Sequence, residues 1–259
     1  VERDTLMIRV GDSRCWFDVA AFEGEVALGV QGPLPCTPDR EAALRRALDL
    51  YRGDLLAGRY DDWCLAERER LRLLLLRGLK RLQRHSRLAE DFEAAIATYE
   101  EILALAKNPG YRARILYQTA ETERLAGQTQ AAYDRMQALI ATYPEEPYAY
   151  DALLTLVRNE VPVDEMLRGR VDYYAGAYGP AVEAFYRIIQ GDPDHGGAPH
   201  YYAGMSYLEA GSDDLALSEF DLLIETHPED PFVPLAWMGK GETFAGLGQR
   251  QSAIRAYLT

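Results

Sequence analysis

The stretch GAPHYYAGMSYLEAGSDDLALSEFDLLIETHP, Gly197 to Pro228, decides the fold. It reads as two helices joined by a tight turn. Gly204 and Tyr207 sit in the first helix, and Gly211 breaks it. Ala216 and Phe220 fall one turn apart on the second helix, which Pro228 stops. Small residues let two helices approach closely, and the aromatic rings fill the space beside them. One such unit cannot bury its apolar face alone, so it needs stacked neighbours.

The rest of the chain supplies those neighbours. An alanine followed four residues later by an aromatic residue or Met recurs at Ala95/Tyr99, Ala132/Met136, Ala181/Phe185, Ala216/Phe220 and Ala253/Tyr257. Successive alanines are 37, 49, 35 and 37 residues apart. Pro144, Pro193 and Pro228 each lie 12 residues after their alanine, and Trp237, Gly241 and Phe244 repeat the first-helix pattern. This period resembles that of tetratricopeptide repeats, about 34 residues. The 49-residue interval predicts one additional short helix, near Tyr148 to Arg158 and before Pro162. The fold expected is all-α: a right-handed superhelix of antiparallel helix pairs, with a short irregular or extended arm at the N-terminus.

The first third of the chain is less regular. Thr5 to Val10 and Cys15 to Val19 each suit a short strand or extended arm, turning at Gly11 and Asp12. Ala20 to Leu28 can begin a helix, and the glycines and prolines between Gly29 and Arg40 predict a loop. Thr37 and Pro38 read as N-cap and first residue of a helix over 38–52, with Ala43, Leu44, Ala47, Leu48 and Tyr51 on one face. Asp61 or Asp62 caps a helix running to about residue 85, with Leu71, Leu74, Leu75, Gly78, Leu79 and Leu82 as its apolar stripe. Arg77, Lys80, Arg81 and Arg84 on its other side read as a solvated face rather than a phosphate-binding stripe.

Charge and cysteine usage narrow the function. The net charge is −13. Residues 1–105 carry 16 basic and 19 acidic groups, and residues 106–259 carry 12 and 22. The second part should repel nucleic acid and anionic membranes. No apolar run approaches the roughly 18 to 20 residues of a membrane span, and no segment reads as a secretory signal. Cys15, Cys36 and Cys64 are widely spaced, which favours reduced thiols in a cytoplasmic compartment over a disulfide framework.

The blocks WFDVAAFE at 16–23, AALRRALDLYRGDLL at 42–56 and YDDWCLAERERLRLL at 60–74 together resemble the bacterial transcriptional activator domain of antibiotic-regulatory-protein-type regulators. The resemblance covers residues 1–105. It implies a role in transcription regulation, without the winged helix that reads DNA. From residue 106 on, VDYYAGAYGPAVEAFYRII at 171–189 and the block from Pro199 to Pro228 are similar to the helical-repeat region of soluble lytic transglycosylase-like proteins. The two domains expected are therefore 1–105 and 106–259. At their join, Pro109 is expected to end one helix and Gly110 to turn the chain, with Ile115, Leu116 and Ala120 continuing one core across it.

Chemistry is thinly signalled. Glu145/Glu146 and Asp213/Asp214 lie beside turns, where carboxylates cap helices, and no phosphate-binding glycine loop is present. No enzyme, cofactor or metal site is expected. His85, His195, His200 and His227 do not cluster with the cysteines; His200 reads as a packing residue, and His195 and His227 as solvated turn residues. Binding has more support. First helices of stacked units line a concave face. The repeat frame places Arg114, Tyr117, Glu121, Arg124, Tyr201, Met205 and Glu242 towards it, with Met238 as a further candidate. These side chains suit a protein or peptide in the groove. The function expected is a non-enzymatic interaction module of a transcriptional regulator. Two alternatives stand beside it: the scaffold arm of a cell-wall hydrolase, and an engineered fusion of two helical segments.

Overall fold

A computed structural model of the chain describes residues 19–55 and 58–259. The strand expected at Thr5–Val10 lies outside these residues. So does that at Cys15–Val19, except for Val19, which opens a helix. Among the described residues there are thirteen α-helices and no strand. They divide into two compact units, Val1–Ala106 and Lys107–Thr259.

The first unit holds α1 (Val19–Gly29), α2 (Pro38–Leu50), α3 (Asp62–Leu88) and α4 (Phe92–Leu105). Helices α1, α2 and α3 meet at Leu44. A Cβ placed on Gly29 would lie 2.4 Å from the Leu44 side chain, and one on Gly78 would touch it at 3.4 Å. Leu71, Leu75, Leu79 and Leu82 are buried as the apolar stripe requires. Thr37 and Asp61 occupy their N-cap positions, yet neither side chain makes the capping hydrogen bond expected of it. Arg81 departs from the solvated stripe read around it. Its Nη2 donates to the carbonyls of Gln31 at 3.1 Å and Pro33 at 2.7 Å, fixing the glycine- and proline-rich loop. His85 holds the same loop, with Nδ1 accepting from the Cys36 amide at 3.1 Å.

The second unit holds α5 (Pro109–Leu125), α6 (Thr129–Thr142), α7 (Pro147–Arg158), α8 (Glu165–Tyr174), α9 (Tyr178–Gly191), α10 (Ala198–Glu209), α11 (Asp213–Thr226), α12 (Val233–Gly246) and α13 (Arg250–Tyr257). Four antiparallel pairs form: α5/α6, α8/α9, α10/α11 and α12/α13. Helix α7 is the additional helix that the long repeat interval predicts, and it packs on both α5 and α6. Helices α6, α9 and α11 each end two residues before Pro144, Pro193 and Pro228. Proline disfavours helical backbone in the residue before it, which sets that boundary.

The turn between α3 and α4 and the turns within the four pairs of the second unit use one device. The residue five before the repeat alanine takes a left-handed conformation: Gly127, Gly176, Gly211 and Gly248 at φ between +74° and +79°, and Glu90 at +58° in the α3/α4 turn. Each turn closes with the amide of the following residue donating back five positions, as in Ser212 N to Tyr207 O at 2.8 Å. This is the glycine-terminated helix end that left-handed backbone permits. The expected turn at Gly110 is not of this kind. Pro109 opens α5 rather than ending α4, Asn108 caps it by accepting from Tyr111 N at 2.8 Å, and Gly110 is helical.

The repeat alanines Ala95, Ala132, Ala181, Ala216 and Ala253 are all buried. Opposite the second-helix aromatics stand glycines of the first helices. A Cβ on Gly169 would lie 2.4 Å from the Phe185 ring, one on Gly204 would lie 2.6 Å from Phe220, and one on Gly241 would lie 2.3 Å from Tyr257. These distances predict a reversal of ordinary helix propensity. Gly169→Ala should destabilise by about 1 to 3 kcal/mol through overpacking. Gly246→Ala, at a position with open space, should be neutral or stabilise by up to about 1 kcal/mol. Paired urea unfolding curves for the two variants check this.

Candidate functional site

In the second unit α7 packs on α5 and α8, α8 on α10, and α10 on α12. The first helices thus stand side by side, and the residues singled out from the sequence lie on both ends of this row. On α5, Arg114, Tyr117, Glu121 and Arg124 follow one another at helical spacing. Arg114 is exposed. Arg124 pairs with Glu121 at 3.0 Å, and the Tyr117 ring lies 5.8 Å from that of Tyr148 on α7. Burial raises the Tyr117 phenol pKa, and the carboxylates of Glu121 and Asp151 add to the effect.

At the other end, Tyr201 and Met205 are half-buried against the cluster of Ala216, Phe220, Leu223 and Ala236. The Tyr201 ring lies 5.2 Å from Phe232 and 6.4 Å from Phe220. Part of each side chain therefore packs the array itself, and only the remainder is open to a ligand. Burial raises the Tyr201 pKa, with smaller contributions from Tyr202 and the Glu242 carboxylate. Glu242 is exposed, and Met238 is 52% exposed on the same helix.

Between these ends lies an aromatic group that the repeat frame did not single out. Tyr173 meets Tyr202 edge-on at 5.9 Å, Tyr202 stacks on Phe185 at 5.7 Å, and the Arg170 guanidinium lies 5.9 Å from the Tyr202 ring centre. Tyr174 is 38% exposed at its edge. Burial pushes both Tyr173 and Tyr174 up to about 12. The doubled tyrosines at 173–174 and 201–202 were the signal available in the sequence.

The histidines correct the reading of His195 and His227 as separate solvated turn residues. His195 in the α9–α10 connection, His200 at the start of α10 and His227 at the end of α11 come together. Their ring centres are 5.2 Å (195–200), 5.1 Å (195–227) and 6.0 Å (200–227) apart. One ring nitrogen from each lies within 4.8 Å of the others. His200 is buried, and its Nδ1 contacts Glu219 Oε2 at 2.7 Å. Burial and the two neighbouring rings lower the His227 pKa. The sequence held a clue: adjacent second helices end side by side in a stacked array, so the turns after α9 and α11 had to be neighbours.

Among acids, Asp172 stands out. It is buried on α8, and desolvation pushes its carboxyl up to about 6 against the partial relief of Arg168, 3.9 Å away. It is a buried carboxyl set against the Arg168 and Arg187 guanidinium groups and the Glu165 carboxylate. Of the doubled acids read as caps, Glu146 occupies the N-cap of α7 without a side-chain capping bond, and Asp213 and Asp214 fill the first turn of α11. Among the described residues, no helix is long and apolar enough to cross a membrane.

Comparison with protein families finds the bacterial transcriptional activator domain at residues 17–108 and the tetratricopeptide repeat at residues 114–146 and 200–230. The expected likeness of residues 106–259 to lytic transglycosylase-like proteins is not supported. The small-and-aromatic spacing that carried it is a requirement of stacked helix pairs in general. No curated protein matches the chain. Among solved structures, MamA is similar at 18% identity, covering 68% of this chain and 90% of that one, with a TM-score of 0.34. A tetratricopeptide repeat protein from Parabacteroides merdae is similar at 17% identity over 92% and 77%, with a TM-score of 0.33. The TPR2AB-domain:pHSP90 complex of yeast Sti1 is similar at 13% identity over 92% and 88%, also at 0.33.

Asp172 gives this unit a defined pH response. Its folded pKa lies above the reference value of 3.8, so the folded chain holds that proton more tightly than the unfolded chain. Its contribution to stability falls as pH rises from about 4 to about 6 and stays low above that. Asp172→Asn should remove this component, so the stability difference between variant and parent should grow in the variant's favour across that window. Denaturation midpoints at pH 4, 5, 6 and 7 measure it.

Proposed function

We propose that the chain is a non-enzymatic interaction module of a bacterial transcriptional regulator, working in the cytoplasm. In this reading residues 1–105 are the activator-domain part. Residues 106–259 are the repeat array that takes a protein or peptide along its first helices. The observation that carries it is the surface offered by the row α5, α7, α8, α10 and α12. Tyr117, Tyr174, Tyr201 and Met238 present partly open apolar area there, beside Arg114, Arg124, Arg170 and Glu242. Aromatic and Arg side chains are the types that anchor protein ligands. Adjacency to an activator-domain match supports the regulatory context. DNA is left to another part of the regulator, because residues 106–259 carry 12 basic against 22 acidic groups and phosphate binding needs the opposite balance.

Site-specific photo-crosslinking in cells making the full regulator tests this. A benzophenone amino acid at Tyr117, Tyr174 or Tyr201 should capture a defined protein partner. The same probe at Leu222 on α11 or Ile254 on α13 should not. Equal capture from both sets of positions, or capture from the second set alone, would overturn the reading.

A further inference from the structure

We propose that His195, His200 and His227 form a binding site for a divalent transition metal of the zinc class, tying the α9–α10 connection to the start of α10 and the end of α11. Three imidazoles from three different segments converge with one ring nitrogen each inside 4.8 Å. Zinc–imidazole bonds of about 2.0 to 2.1 Å place ligand nitrogens about 3.3 Å apart in a tetrahedron. Closing the triangle therefore takes side-chain rotation of His195 and His227, both only half-buried. His200 is held in place by its surroundings and serves as the fixed corner.

Orientation of that corner is already built. A metal-binding imidazole is commonly fixed by a carboxylate on its other nitrogen. Glu219 Oε2 sits 2.7 Å from His200 Nδ1, which leaves Nε2 as the ligand atom. His195 Nδ1 lies 3.0 Å from the Gly196 carbonyl, which likewise selects Nε2 for the metal. Glu219 is itself held from behind by the Tyr186 hydroxyl, which donates to Oε1.

Charge argues in the same direction. Glu219 is 3% exposed, and its partners are the Tyr186 hydroxyl and the His200 ring, neither a fixed cation. A buried carboxylate without a compensating charge is costly. A metal on the far side of His200 supplies that compensation through the ring. Asp230 stands by, pinned by the amides of Gly197 at 2.7 Å and Phe232 at 2.8 Å, and adds negative potential beside His227. All-imidazole ligation suits zinc, copper and nickel rather than magnesium or calcium, which take oxygen. Three protein ligands leave a fourth position for water or for a donor from a bound protein.

The test uses the full chain, free of any polyhistidine tag and stripped with chelator. Zinc titrated calorimetrically should bind at one equivalent with micromolar or tighter affinity. It should raise the melting temperature, while magnesium and calcium should not. Cobalt in its place should give visible bands of four-coordinate geometry. The His195→Ala/His227→Ala variant, altered only at half-buried positions, should fold normally and bind zinc at least about 100-fold more weakly. Glu219→Gln should weaken binding about 10- to 100-fold. Absence of zinc binding, or binding unchanged in the double-histidine variant, would overturn the site. Unchanged affinity in a folded Glu219→Gln protein would overturn the orienting role given to that carboxylate.

Discussion

The second unit depends on a ring filling the space left by two absent side chains. Phe220 lies between Gly204 of its own hairpin and Gly239 of the next, where added Cβ atoms would come within 2.6 and 2.5 Å of the ring. One side chain therefore sets both the spacing inside a helix pair and the spacing between pairs. Phe185 does the same work with Gly169 on one side and the stacked Tyr202 ring on the other. Tyr257 shows what the second cover contributes. It sits against Gly241 as Phe220 sits against Gly204, but with one face covered it is 51% exposed. Close packing of this sort has no slack, so a single methyl group at the wrong place must move a ring or a helix.

Much of this was legible in the sequence because the constraint is local. A small residue, a turn and an aromatic recur at fixed separations, and the alanines, glycines and prolines that mark them sit where the period places them. The long interval announced α7 for the same reason. What was not legible depends on atoms distant in sequence. Glu90 takes a left-handed turn position that glycine fills in the other four turns between paired helices, and nothing in its chemistry signals that. Gly110 looked like a turn residue because it follows proline, but the Asn108 cap makes both residues the start of a helix. Arg81 looked like one of a solvated row until the folded loop brought carbonyls to it.

The candidate sites divide along the same line. Helix spacing alone placed Arg114, Tyr117, Glu121 and Arg124 on one face of α5. The tyrosine group at Tyr173, Tyr174 and Tyr202 needs two helices to come together. The three histidines need three segments, which is why a search for close sequence spacing passes over them. Helix α10 joins both features: His200 lies in its first turn, and Tyr201 and Tyr202 follow directly. A metal held at His200 would order the start of the helix that carries these rings, so the array would present them from a fixed support.

The central claim is that ring and glycine are one unit. A double-mutant cycle on Gly204 and Phe220 measures it, comparing Gly204→Ala in the parent with Gly204→Ala in the presence of Phe220→Leu. If the ring is what the added methyl meets, the smaller side chain relieves the clash, and the coupling free energy should be about 1 kcal/mol or more. Additive effects within about 0.3 kcal/mol would show that the two residues are independent and that some other contact sets the helix spacing.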